Sequence, residues 1–163
     1  MTTKAGNLTV AELVNEKLAS IGEKIGVTKF ERIDAPYVAS YIHGAYRIGV
    51  LVGLDKEKTE AGKDVAMQIA ALNPVAVDAA SVPADIIARE KDIALEQLKN
   101  DPKMTNKPAE MLSKIADGKL NAFFKEQTLT AQAFVKDGNK TVGDYLKENG
   151  DVKVIAFKRV ALG

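Results

Sequence analysis

Two long stretches of helical periodicity, separated only by a run crowded with helix breakers, limit most severely what this chain can fold into. From Pro83, the residues Ile86, Ile87, Ile93, Ala94, Leu95 and Leu98 recur at helical spacing as far as Lys99. Asn100-Asp-Pro-Lys-Met-Thr-Asn-Lys-Pro108 interrupts, and a second pattern runs from Pro108 to about Gln127 through Met111, Leu112, Ile115, Leu120, Phe123 and Phe124. Helices joined by so short a link double back on each other, which predicts an antiparallel helical hairpin. At 1.5 Å rise per residue each arm is about 25 to 30 Å long, so the hairpin is expected to project. Phe123 and Phe124 share one turn and cannot both face a narrow seam, which leaves one for another surface.

The rest of the chain reads as a small mixed domain. Thr9 followed by Glu12 is a capping-box pattern, and Leu13, Val14, Leu18 and Ile21 then fall at helical spacing, predicting a helix from Val10 to about Ile21. Gly22 and Gly26 end it, and Val27 to Ile33 alternates polar and apolar residues as a strand does. After Pro36 comes the clearest β pattern: Tyr37 to Ile42 and Arg47 to Leu54 are rich in β-branched and aromatic residues, with His43-Gly-Ala-Tyr46 as the reversal between them. Asp55 to Gly62 reads as a loop, followed by a small-residue helical stripe of Val65, Ala66, Ile69, Ala70 and Leu72 that Asn73-Pro74 ends. Beyond the helical hairpin, Ala133 to Lys136 is a short extended piece and Thr141 opens a brief helix closed by Asn149-Gly150. The final run, Val152 to Val160, is too continuously apolar for a solvated edge and is expected inside the sheet, beside the first hairpin. The fold class is therefore α+β: a small antiparallel sheet packed by helices, with an inserted antiparallel helical hairpin.

Charge excludes one broad class of partner. Against 23 lysines and arginines stand 22 acidic residues, a net charge of +1, which provides no global field for nucleic acid or a membrane surface. Lys136, Lys140, Lys147, Lys153, Lys158 and Arg159 make the last third mildly basic, but few aromatics interleave for base stacking, so it reads as a solvated surface and direct nucleic-acid binding is not expected. The absence of cysteine fits a reducing compartment, and neither a secretory signal nor a continuous membrane-spanning run is apparent, so the expected location is the cytoplasm.

Catalytic chemistry finds little to work with. His43 is the one histidine, and no nucleophile or carboxylate is tied to it by spacing; an exposed turn residue is its plain reading. With no cysteine, no second histidine and no spaced acidic loop, no metal site is expected, and no cofactor. Glu60-Ala-Gly62-Lys63-Asp64 lacks the earlier glycine of a phosphate loop and carries Asp where Ser or Thr is needed, while Ile21-Gly22-Glu-Lys-Ile25-Gly26 follows a helix and reads as a helix end. The residues alone thus point to a binding protein rather than an enzyme.

Five motifs in order carry a resemblance to a known family. They are Tyr41-Ile-His43-Gly-Ala-Tyr-Arg47-Ile-Gly49-Val-Leu-Val52; Ala66-Met67-Gln-Ile69-Ala70-Ala71-Leu-Asn-Pro74; Lys107-Pro108 with Lys114-Ile115-Ala-Asp-Gly118-Lys119-Leu120; Gln132-Ala-Phe134-Val135-Lys136-Asp137; and Lys140-Thr141-Val142-Gly143 to Leu146. Together they resemble elongation factor Ts over roughly residues 9 to 160. Tyr46 and Asn106 stand where that family often has glycine, and Ala133 replaces a frequent proline.

The resemblance implies a guanine nucleotide exchange factor for elongation factor Tu, active in translation elongation through binding energy rather than covalent chemistry. It also implies a core of two related subdomains with an inserted coiled coil. On that pattern residues 1–26 are the remnant helix of the first subdomain, 27–82 and 129–163 the second, and 83–128 the coiled-coil insertion. The family's small N-terminal helical domain and its Thr-Asp-Phe-Val motif do not occur in these 163 residues, which suggests an expressed fragment with reduced exchange activity. Family contact positions that match are Ile21, Gly22 and His43. The alternative reading is a homodimerisation module, with the Phe123–Phe124 pair as its apolar surface.

Overall fold

A computed structural model describes residues 4–104 and 106–162, and the chain divides into two compact units, one through Arg32 and the other from Ile33. In the first unit, strands β1 (Lys4–Ala5) and β2 (Leu8–Thr9) pair antiparallel and lead into helix α1 (Val10–Ile21). The predicted capping box forms: the Glu12 N–H donates to Thr9 Oγ1 at 3.3 Å, and the Thr9 N–H donates to Glu12 Oε2 at 2.7 Å. These bonds from the Thr9 backbone and hydroxyl hold the Glu12 carboxyl below its usual range. At the far end Gly22 takes a left-handed conformation, φ 74°, and its N–H donates to Leu18 O at 3.0 Å.

The strand expected at Val27 to Ile33 does not form; those residues carry no regular secondary structure, and Phe30 is 77% exposed. Alternation marks a strand only where a neighbour supplies the other half of the ladder, and none of the described strands pairs with this segment.

The second unit is built on a three-stranded antiparallel sheet of β3 (Tyr37–His43), β4 (Ile48–Leu54) and β7 (Val154–Ala161), in the order β3-β4-β7. Between β4 and β7 the chain forms α2 (Thr59–Leu72), a 3-10 turn (Ala79–Ser81), α3 (Ala84–Lys99), α4 (Ala109–Gln127), β5 (Ala133–Phe134), β6 (Asp137–Thr141) and α5 (Val142–Glu148). The expected loop through Gly62 is shorter than the sequence suggested: α2 starts at Thr59, so Gly62 lies inside the helix and is buried.

The last strand is also placed differently. β4 is central and β7 is an edge. Its register with β4 shifts between Gly53, opposite Ala156, and Leu54, opposite Val154, so Ile155 is the extra residue of a bulge and is half exposed. The unbroken apolar run reflects that bulge, which breaks alternation, rather than strands on both sides.

One face of the sheet makes the main core. Val50, Val52 and Leu54 point at Val65, Ala66 and Ile69 of α2, and Leu129, Phe134, Val142 and Leu146 complete the cluster. The helical hairpin has a core of its own, Ala94, Leu98 and Ala116, with Leu95, Met104, Leu112 and Ile115 packed around it. Its base is pinned where the chain enters and leaves: Val75 N–H donates to Gln127 O at 2.8 Å, Leu129 N–H to Ala76 O at 3.0 Å and Thr130 N–H to Val77 O at 2.9 Å. Among the described residues no helix is long and apolar enough to cross a membrane.

Candidate functional site

His43 is the last residue of β3, opposite Ile48, at the turn end of the first β-hairpin. Strand alternation puts Tyr41 and His43 on one face, and the Tyr41 hydroxyl lies 3.0 Å from His43 Nδ1 with the rings 5.9 Å apart. The His43 side chain is exposed beside that hydroxyl. Among the described residues no carboxylate is recorded in hydrogen-bond or ion-pair contact with it.

The reversal after His43 is strained. Gly44, Ala45 and Tyr46 all have positive φ, at 63°, 52° and 68°, and the turn is closed by the Arg47 N–H donating to Gly44 O at 3.2 Å. Glycine takes this conformation freely, whereas each of the two side-chain-bearing residues costs about 1 kcal/mol or more. The hairpin end is also apolar: Tyr46 is 80% exposed and Ile42 58%. Leu162, 70% exposed, is tied to the same end by its N–H donating to Arg47 O at 2.9 Å. Strands β3, β4 and β7 contain no Asp or Glu, so the only formal charge within the reversal itself is that of exposed Arg47.

Ile21 and Gly22 stand together at the end of α1, in the first unit, whereas His43 belongs to the second. Ile21 is half exposed although it ends an apolar helical stripe. A Cβ at Gly22 would meet nothing within 4 Å, so its backbone conformation, not space, requires glycine.

Elsewhere the structure offers little chemistry. An open cleft of about 470 Å³ lies beside α5, but Thr141 and Asp144 on its wall are committed to capping that helix, the Thr141 hydroxyl donating to Asp144 Oδ2 at 2.7 Å. Among the described residues no three His, Cys, Asp or Glu side chains gather as a metal-binding group. Phe123 and Phe124 meet edge to face at 5.9 Å and both are partly covered, so neither offers the open ring expected of it.

Sequence reasoning named His43 through resemblance and did not single out Tyr41, Ile42 or Leu162, which the structure sets at the same end of the sheet. The i, i+2 spacing of Tyr41 and His43 in a strand was the available sign for the first.

The family model described as Elongation factor TS matches residues 1–163. Among curated proteins, an Elongation factor Ts of Christiangramia forsetii is 44% identical over 96% of this chain and 57% of its own length. That of Hydrogenobaculum is 43% identical over 98% of this chain and 56% of its own length, and that of Amoebophilus asiaticus 46% identical over 96% and 57%. The chain thus spans a little over half the length of the curated relatives it matches.

Proposed function

We propose that this chain, which belongs to the elongation factor Ts family, is a docking module for elongation factor Tu that supports GDP/GTP exchange without covalent chemistry. The observation supporting this most strongly is the family match along the whole of residues 1–163. An exchange factor needs no nucleophile or metal, because it acts by binding the nucleotide-free GTPase more tightly than the nucleotide-bound form, and linkage makes the two ligands weaken each other.

Docking is assigned to Ile21 and Gly22 at the end of α1 and to His43 at the hairpin end, with no cofactor and a cytoplasmic setting. These 163 residues taken alone contain no Thr-Asp-Phe-Val sequence, so their own exchange activity is expected to be weak even where docking is retained. A second copy of the chain is the competing partner; the partly covered Phe123 and Phe124 favour it less than the open hairpin end favours a different protein.

Two measurements test the reading together. Titration against nucleotide-free elongation factor Tu should give saturable binding that weakens when His43 is changed to Ala or Gly22 to Val, and stopped-flow GDP release should be accelerated only slightly. Absence of binding, with light scattering showing a concentration-dependent dimer, would replace the docking reading with the homodimer.

A further inference from the structure

We propose that Asn149 is a site of spontaneous covalent modification, where the side-chain amide is lost to the backbone nitrogen of Gly150 when the last turn of α5 opens.

Asn149 is the one asparagine in the chain that a glycine follows. With no side chain on Gly150 to hinder it, the Gly150 nitrogen gives up its proton to hydroxide and attacks Asn149 Cγ. The new N–Cγ bond forms, the Cγ–Nδ2 bond breaks, and ammonia leaves with a proton from water, closing a cyclic imide. Water then opens either carbonyl of the imide to give aspartate or the backbone-lengthened isoaspartate, with no oxidant or enzyme required. The turn itself calls for the glycine, because Gly150 holds φ 95°, where a residue with a side chain is strained.

The folded turn holds both reacting groups back. The Gly150 N–H, which supplies the nucleophile, donates to Lys147 O at 3.1 Å, and Asn149 Nδ2, the leaving group, donates to Tyr145 O at 2.8 Å. Those two carbonyls also accept from the Asp151 N–H and the Asn149 N–H, each at 3.1 Å, so they tie down the whole turn. Both side-chain and backbone bonds must break before Cγ and nitrogen meet, which makes the open turn the reacting state. Gly150 is exposed and Asn149 half-buried at the end of a short helix, where such opening costs least.

The product does not fit the turn it came from. A carboxylate at residue 149 has no donor for Tyr145 O, lies at the negative end of the α5 dipole and joins Glu148 and Asp151. The isoaspartate form adds a methylene to the backbone shortly before Val152, which is buried in the sheet core and donates its N–H to Leu146 O at 3.2 Å.

The test incubates the full 163-residue chain in warm, mildly alkaline buffer beside a peptide of residues 145–153. Mass-spectrometric peptide mapping follows both, and hydrogen exchange of the Gly150 N–H is measured in the chain. Amide-to-acid conversion is expected at Asn149, slower in the chain than in the peptide by about tenfold or more, and by the same factor that protects the Gly150 N–H from exchange. Thr141→Ala, which removes the cap at the other end of α5, should speed both processes by about fivefold. Conversion at the peptide's rate overturns the proposal, as does none at Asn149 over a time that the measured protection allows for it. Faster exchange in Thr141→Ala without faster conversion overturns it as well.

Discussion

The side-chain amide of Gln68 donates to the side-chain oxygen of Gln132 at 3.2 Å, and both residues are almost wholly buried. The same amide group also donates to Ala133 O at 3.1 Å, while its oxygen accepts from the Val135 N–H at 2.8 Å. Gln68 thereby fastens α2 to the segment that returns from the helical hairpin. Gln132 in turn donates to Glu126 O at 2.8 Å, at the end of α4.

Replacing Gln68 by Leu should therefore cost more than a loss of packing. The change strands the buried Gln132 oxygen, which costs about 1 to 3 kcal/mol, and takes the partners of the Val135 N–H and the Ala133 carbonyl, which lie on an exposed segment and can turn to water. A destabilisation of about 1 to 3 kcal/mol in urea unfolding is expected. Gln68→Glu keeps the acceptor for Val135 but loses both donors and buries a charge, so it should be no better. A Gln68→Leu protein as stable as wild type would mean that the segment relaxes to find other partners.

Gly62 gives a prediction of opposite sign to the usual rule. Within an exposed helix, glycine to alanine stabilises by about 1 kcal/mol. Here a Cβ would stand 2.6 Å from Ala39 Cβ on β3 and 3.2 Å from Leu54 Cδ1 on β4. The helix lies that close to the sheet, so Gly62→Ala is expected to destabilise by about 1 to 3 kcal/mol. Ala39→Gly in the same protein removes the facing atom and should recover part of the loss. Purely additive effects of the two changes would show that the clash is not where the cost arises.

Burial pushes the Tyr145 phenol up to about 12, helped by its hydrogen bond to Asp64 and by the negative charges of Asp64 and Glu60. The hydroxyl donates to Asp64 Oδ2 at 2.8 Å. An unfolded tyrosine ionises near 10, so as pH rises the unfolded chain releases this proton first. The contribution is thus complete below about pH 10 and is lost between about 10 and 12. Tyr145→Phe should be slightly less stable at neutral pH and should show a shallower alkaline loss. Comparing denaturation midpoints of the two proteins from about pH 8 to 12 cancels the titrating lysines that both share. Parallel alkaline limbs would remove the phenol from the account.

What the sequence displayed depended on how local the determining interactions are. The capping box of Thr9 and Glu12 and the hairpin of Tyr37 to Leu54 were legible because their partners lie within a few residues. Val27 to Ile33 carried the alternation of a strand but lacked a neighbour to pair with, a fact no local pattern records. β7 was misplaced because its apolar run reflects a bulge set by Gly53 and Leu54 about a hundred residues earlier in the chain. The role of Gln68 was hidden for the same reason, since its acceptors are supplied by residues 132 and 133. Of the site, His43 was named only through resemblance, and the exposure of Tyr46 emerged once the turn was closed.

The division proposed for the chain, with residues 83–128 as an insertion, can be tested by shortening it. Ala94, Leu98 and Ala116 form a cluster that shares no buried residue with the sheet core, and the hairpin's base is held by backbone bonds at Val75, Leu129 and Thr130. Excising Arg89 to Leu120 and joining the ends by a short glycine-rich turn removes that cluster. It retains the base turns, including Phe124, whose carbonyl accepts from the Thr128 N–H and hydroxyl at 3.1 Å and 2.7 Å. If the sheet core is independent, the shortened chain should still unfold in one cooperative transition, at a temperature within about 5 °C of the parent, since a shift of that size corresponds to about 1 kcal/mol in a domain of this length. Helical circular dichroism should fall while the near-ultraviolet signal of Phe134 and Tyr145, whose rings stack at 4.3 Å, persists. Loss of that aromatic signal, or of cooperative unfolding, would make the hairpin part of the core and not an insertion into it.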